Sequence, residues 1–224
     1  MRCLIMKAFI KKHEYNYIKK CLRDLNSAFV GCIDAKVVEV TKFYINNKIL
    51  NLFTNLSEEE KNIVDIIKIT DSSHIDNYLY NLNEYVYGIP SITKEQISKL
   101  FKKEKKLKLP NLDEYNSKNV YLGWIDESTN KLFIVYNMDG KPIGMVCKIP
   151  SYNSNNMNMC TLCNHMGRRD EVAFVSSPCK IPRSKEGAYK SIGFNVCLDS
   201  KQCNERLTSI KKLEEILKCV NNVK

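Results

Sequence analysis

Cys160-Thr161-Leu162-Cys163 stands 33 residues ahead of Cys197-Leu198-Asp199-Ser200-Lys201-Gln202-Cys203, so four thiols form two local clamps. Zinc takes a closed tetrahedral shell of thiolates, and two clamps supply one while leaving a single long loop to close. Asn164 and Gly167, just past the first clamp, suit a knuckle that turns backbone amides toward the sulfurs. The second clamp straddles a helix start expected at Asp199 or Ser200, where the helix dipole favours a thiolate. His165 and Cys179 are competing donors, but neither has the paired spacing. A thioredoxin-like use of Cys160 and Cys163 would need a βαβ context, which the Asn-rich segment 153–158 does not provide.

A knuckle, an intervening hairpin and a helix carrying the last ligand make a treble-clef arrangement around one structural Zn2+. Four thiolates fill the shell and leave no position for a reactive water, so a catalytic role for that zinc is not expected. The other six of the ten cysteines, Cys3, Cys21, Cys32, Cys147, Cys179 and Cys219, are scattered. Disulfide scaffolds are short and secreted. This chain is long and Lys-rich, and its start lacks a signal-peptide pattern, so the scattered cysteines read as small buried hydrophobes in a soluble cytoplasmic protein.

Upstream of the clamps the residues read as strands. Val120 to Ile125 and Leu132 to Tyr136 are short β-type runs separated by a polar turn, and Asp139-Gly140 is a hairpin signal leading into Ile143 to Cys147. Downstream, a final helix is expected to carry Leu207, Ile210, Leu213, Leu217 and Val220. Before Pro110 the period is helical. Ile18, Leu22, Leu25 and Phe29 form one stripe, and Asp34 precedes a periodic segment with Val37, Val40, Tyr44, Leu52 and Phe53. Ser57-Glu58-Glu59-Glu60 and Thr93-Lys94-Glu95-Gln96 are capping boxes. A helix opening at Ser72 or Ser73 should run through Val86 and stop at Gly88-Ile89-Pro90. The expected fold class is α+β: a helical bundle with a basic C-terminal linker over residues 1–110, then a small β-rich zinc domain over residues 111–224.

The composition agrees with a globular protein, 44% hydrophobic and 27% charged over 224 residues, and no apolar run is long enough to span a membrane. The formal net charge of +10 is unevenly spread. Residues 99–108 carry a local charge of +5 through lysines that include Lys102, Lys103, Lys105 and Lys106; a second basic cluster, with Arg168 and Arg169, lies between the clamps. Such clusters steer toward phosphate backbones or acidic protein surfaces. Phosphate-binding, dinucleotide-binding and hydrolase motifs are absent, and the three histidines are dispersed. The residues therefore read as a binding protein rather than an enzyme. A ribosome- or RNA-binding zinc protein and a thiol oxidoreductase stay as alternatives.

Three markers carry a resemblance. His13-x-Tyr15-Asn16-Tyr17-Ile18 opens the helical half. Leu100-Phe101-Lys102-Lys103-x-Lys105-Lys106-x-Lys108-x-Pro110 precedes Glu114-Tyr115 and Gly123-Trp124. Cys160-Thr161-x-Cys163 pairs with Cys197-x-Asp199-Ser200-x-x-Cys203-Asn204 and continues through Leu207-Thr208-x-Ile210. In that order they resemble the FusB/FusC family of elongation factor G-binding proteins, known for fusidic acid resistance.

The resemblance implies a helical N-terminal domain and a treble-clef zinc domain with Cys160, Cys163, Cys197 and Cys203 as ligands. It implies a monomer that binds elongation factor G chiefly through the zinc domain and frees it from ribosomes stalled by fusidic acid. The ribosome is then an indirect partner, and no small-molecule substrate or covalent step is involved. The family places aromatic and lysine side chains beside the zinc pairs and on the last helix. Here the matching candidates are Met159, Tyr189, Lys190, Phe194 and Ile216, with apolar character kept at Met159 and Ile216 while the aromatic pattern is lost.

Overall fold

The computed structural model describes residues 7–115, 117–151, 156–180 and 190–223 and divides the chain into two units, residues 1–87 and 88–224. In the first, β1 (Ile10–Lys11) runs parallel to β2 (Val86–Tyr87) and brackets four helices: α1 (Lys12–Gly31), α2 (Ala35–Leu50), α3 (Glu58–Val64) and α4 (Ser73–Leu82). The stripe on α1 behaves as its spacing predicts. Tyr15, Ile18, Cys21, Leu22 and Leu25 are buried, and Phe29 packs at their edge.

Capping defines the helix starts. Ser57 and Glu60 exchange reciprocal bonds, Glu60 N–H to Ser57 Oγ at 3.2 Å and Ser57 N–H to Glu60 Oε2 at 2.8 Å. Asp34 Oδ1 accepts from Lys36 N–H at 2.8 Å. α4 opens at Ser73 as expected, with Ser72 at the N-cap; the side chain that caps its first turn is that of Asp71, whose Oδ1 accepts from Ser73 N–H at 2.8 Å.

Two helical expectations are corrected. Val37, Val40 and Tyr44 face outward on α2, while Lys42, Ile45, Asn46 and Ile49 are buried. The polar pair is inward because the irregular segment after α3 needs partners. Asn46 Oδ1 accepts from Ile66 N–H at 3.1 Å, and Lys42 Nζ donates to Ile69 O at 3.4 Å. The helix expected to run through Val86 stops at Leu82, and a 3-10 turn leads into β2. Gly88 is no helix cap; a Cβ there would collide with the backbone of Lys118 and Asn119, whose carbonyl accepts from Ile89 N–H at 2.6 Å.

The second unit is an antiparallel sheet in the order β3-β4-β5-β8-β9. Its strands are β3 (Leu122–Asp126), β4 (Lys131–Met138), β5 (Lys141–Lys148), β8 (Val172–Pro178) and β9 (Ser191–Cys197), with the short ribbon β6 (Asn158–Met159) and β7 (Met166–Gly167) between β5 and β8. The first three strands fall where the apolar runs predict. Asp139 and Gly140 join β4 to β5 with φ of 50° and 79°, the left-handed pair that a two-residue hairpin requires.

Helix α5 (Lys94–Leu100) belongs to this unit, so contacts divide the chain at Gly88 and not at Pro110. Ile97 and Phe101 complete an apolar cluster with Leu122, Trp124, Phe133 and Val135 on one face of the sheet. Trp124 stacks on Phe133 at 5.1 Å between ring centroids, and Phe101 meets Phe133 edge-on at 5.2 Å. Residues 99–108 are therefore no free linker. Glu104 pairs with Lys131 at 2.6 Å, and Trp124 Nε1 donates to Lys108 O at 3.0 Å.

The opposite face packs Leu132, Ile134, Val175, Phe194 and Val196 against α6 (Ser200–Arg206) and α7 (Lys211–Asn221). The single C-terminal helix of the sequence reading is thus two helices. Leu207 turns extended and buries completely, and Ser209 Oγ accepts from Lys211 N–H at 3.4 Å as α7 begins. Among the described residues, no helix is long and apolar enough to cross a membrane.

Candidate metal centre

Each of the four cysteines is placed by a local device. Cys160 and Cys163 occupy the turn between β6 and β7. Cys160 N–H donates to His165 O at 2.8 Å, Asn164 N–H donates to Cys160 O at 2.9 Å, and Asn164 takes a left-handed φ of 59°. Cys197 ends β9. Cys203 lies on α6, whose first turn is capped by Asp199 Oδ1 accepting from Gln202 N–H at 3.0 Å. Thr161 N–H donates to Asn195 O at 2.8 Å, which fixes the knuckle to β9.

The four sulfurs lie within 4.8 Å of one another, with Cys160 to Cys203 at 3.9 Å and Cys163 to Cys197 at 3.5 Å. With Zn–S bonds of about 2.3 Å, a tetrahedral edge is about 3.8 Å. The donor set and its spacing fit a structural zinc. His165 and Cys179, the competing donors, are outside the cluster.

The four thiols act strongly on one another. The neighbouring thiols, Cys163 first, donate to Cys160 and hold its sulfur far below the ordinary thiol range, while that same sulfur pushes Cys197 and Cys203 upward. Without a cation the cluster resists carrying full charge, and a divalent ion reverses that balance. Tyr121 supplies a second sign. Its hydroxyl is buried, has no hydrogen-bonded oxygen or nitrogen partner among the described residues, and lies against Cys203. A zinc-bound thiolate is the acceptor such a donor needs.

Around the centre, α6 is locked to the sheet. Asn204, the residue after the last ligand, is fully buried; its Oδ1 accepts from Val120 N–H at 2.7 Å and Tyr121 N–H at 3.0 Å. Ser200 Oγ donates to Gly123 O at 2.6 Å, and Gly123 has no side chain because Ser200 and the Tyr121 ring occupy that space.

Two family models divide the chain between them. Residues 9–90 match one described as "Elongation factor G-binding protein, N-terminal", and residues 94–220 match "FBP C-terminal treble-clef zinc-finger". The chain belongs to the FusB/FusC family of elongation factor G-binding proteins. A solved structure titled as that of the fusidic acid resistance protein FusC superposes with a TM-score of 0.76 at 25% identity, over 97% of this chain and 100% of that one. No curated protein sequence matches the chain.

Within this FusB/FusC-family zinc unit, the sequence-derived surface candidates separate. Met159 is 52% exposed, and Lys190 is exposed. Phe194 and Ile216, at 7% and 5%, are core residues rather than surface ones. Strand alternation explains the first, because Phe194 shares its inward face with Val196; Ile216 lies on the buried side of α7 beside Leu213 and Leu217. Tyr189 lies outside the described residues.

Of the basic residues, Lys102, Lys103, Lys105, Lys106 and Arg168 are exposed, whereas the Arg169 guanidinium donates to Pro150 O. The structure adds surface residues that the sequence reading missed. Met166 pairs across from Met159 and is 51% exposed, and Met157 precedes the same ribbon. Phe174 is exposed on β8 opposite Asn195, the residue that anchors the knuckle, and its ring lies where Gly193 leaves room. A hairpin reading of the knuckle would have paired Met159 with Met166; nothing in the sequence sets Phe174 apart from its inward neighbours.

Proposed function

We propose that this protein binds elongation factor G through the surface around its zinc knuckle and frees the factor from ribosomes on which fusidic acid has trapped it. The observation that carries the reading is the exposed group of Met157, Met159, Met166 and Phe174 at the zinc knuckle of a chain in the elongation factor G-binding family. Methionine is flexible and polarizable and suits a protein-docking surface. Arg168 and Lys190 lie near the two ends of the same β-structure and add positive charge, which raises association rate more than final affinity.

Release follows from linkage. A protein that binds the factor better in its released conformation shifts the population away from the stalled complex. The drug is not altered, and no bond is made or broken. The zinc holds the knuckle in shape and takes no part in a reaction. The protein acts in the cytoplasm as a monomer, with the ribosome as an indirect partner.

The test is to mix the purified protein with elongation factor G and run size-exclusion chromatography at about 0.3 M salt, where long-range attraction is largely screened. Co-elution is expected, followed by faster release of the factor from fusidic acid-stalled ribosomes. Separate peaks would overturn the reading. The exposed lysines at 102, 103, 105 and 106 favour a second reading, binding to ribosomal RNA, in which affinity falls steeply with salt and free RNA competes.

A further inference from the structure

Cys179 and Cys219 stand apart from the metal centre. They stand 40 positions apart in the chain, yet their sulfurs are 3.9 Å apart. Cys179 follows β8, and Cys219 sits in the last turn of α7. The backbone beside them is already joined: Lys180 N–H donates to Val220 O at 2.7 Å, and Lys180 Nζ donates to Asn221 Oδ1 at 2.7 Å. Cys179 N–H donates to Lys190 O at 2.8 Å. Sulfurs 3.9 Å apart need only a short approach to reach a disulfide bond length of about 2.0 Å.

The pair does not match a metal site, since among the described residues the cluster of Cys160, Cys163, Cys197 and Cys203 is the one group able to hold an ion. Cys179 and Cys219 are both partly exposed, unlike the fully enclosed Cys147, which leaves a path for a small oxidant.

We propose that Cys179 and Cys219 form a redox-reversible clasp that closes α7 onto the end of β8, independently of how the knuckle surface is used. The oxidant is a low-molecular-weight disulfide. The thiolate of one cysteine attacks it, one small thiolate leaves, and a mixed disulfide forms. The second cysteine then attacks the protein sulfur of that bond, making the Cys179–Cys219 bond and expelling the second small thiolate. The two protons lost by the protein end on the two departing thiols, so two protein thiols are oxidised and one disulfide is reduced. A small dithiol reverses the sequence. The clasp restrains opening of the helix that covers the zinc unit's core, which makes that unit's stability respond to the thiol balance of its surroundings.

The experiment treats the zinc-loaded full chain with oxidised glutathione, blocks remaining thiols with iodoacetamide and maps peptides by mass spectrometry. The expected product is a Cys179–Cys219 cross-link, about 2 Da lighter than the paired thiols. Zinc should be retained, and the thermal midpoint should rise by roughly 5–10 °C and return with dithiothreitol. Cys219→Ser should trap glutathione on Cys179 and show no rise. Should that variant fail to fold, Cys179→Ala reads the same trapping at Cys219. Exposed Cys32 is the internal comparison, expected to take glutathione alone. Separate glutathiones on Cys179 and Cys219 in the parent protein would overturn the proposal. So would two alkylated thiols there beside a modified Cys32, or cross-links that draw in the zinc cysteines.

Discussion

The side-chain amide of Asn204 pairs with the backbone of Tyr121 as a neighbouring strand would, accepting from its N–H at 3.0 Å and donating to its carbonyl at 3.0 Å. This contact joins the helix that carries Cys203 to the segment entering β3. Asn204→Ala would leave the buried N–H groups of Val120 and Tyr121 without that acceptor. Each orphaned donor costs its desolvation, so the zinc unit should lose about 2–4 kcal/mol. Urea unfolding of the zinc-loaded protein measures it, and a change inside 0.5 kcal/mol would show that the backbone finds other partners.

Tyr121 bears on the metal as well. Its hydroxyl has Cys203 as neighbour, and Tyr121→Phe removes the donor while keeping the ring in the core. Outer contacts of this kind typically carry about a tenfold factor in metal affinity. Competition with a chromophoric chelator should report zinc bound about tenfold more weakly, with the far-ultraviolet circular dichroism unchanged. Equal affinity in the two proteins would reduce Tyr121 to a packing residue.

Removing the metal should act on one unit only. Zinc binding energy is folding energy in a small treble-clef domain. A strong chelator, or Cys163→Ser, is therefore expected to abolish the sheet signals of residues 122–197 while α1 to α4 keep theirs. Heteronuclear NMR distinguishes the two sets directly. Persistence of the β4–β5 hairpin resonances in metal-free protein would show that the Trp124–Phe133 cluster suffices to hold the sheet.

How much of this was legible in the sequence depends on the kind of signal. Local rules read well: the Ser57 and Thr93 caps, the Asp139-Gly140 turn and the Cys160 to Cys203 frame each concern a few residues whose chemistry is self-contained. Apolar spacing read poorly wherever tertiary partners decided. Val37, Val40 and Tyr44 look like a core stripe, but the core is reached by Lys42 and Asn46 because the backbone at Ile66 and Ile69 needed polar partners. The boundary near Pro110 rested on the change of period, whereas Phe101 joins the rings of Trp124 and Phe133 in the second unit. Surface and core were confused at Phe194 for a related reason, since a residue's closeness in sequence to Cys197 does not say which strand face it occupies.

His13 gives the first unit a pH dependence. Burial, helped by the charge of Lys11, lowers its pKa from 6.5 to about 4, so the folded ring stays neutral over a range in which the unfolded ring takes a proton. The unfolded state then binds more protons, and stability falls as pH drops from about 6.5 toward 4. Allowing for partial exposure, the loss should be about 1–3 kcal/mol. Burial raises the Glu14 pKa and opposes this trend near the lower end, so His13→Gln is the variant that isolates the effect. Its stability profile between pH 6.5 and 5 should be flatter than the parent's, and identical slopes would assign the dependence elsewhere.

The last prediction separates surface from core around the zinc knuckle. Met159 and Met166 are neighbours across the β6–β7 ribbon, each about half exposed, whereas Phe194 is enclosed by the sheet core. A carboxylate at the centre of a docking surface must be desolvated without a partner. Met159→Asp should therefore weaken elongation factor G binding at least tenfold in calorimetry and leave the thermal midpoint within about 2 °C, since surface substitutions cost little in folding. Phe194→Ala should do the opposite, lowering stability by about 3–5 kcal/mol through the cavity it opens. Its binding should fall only in proportion to the unfolded fraction. Unchanged affinity in Met159→Asp would move the interface away from the knuckle, and the basic segment at residues 99–108 would be the next place to substitute.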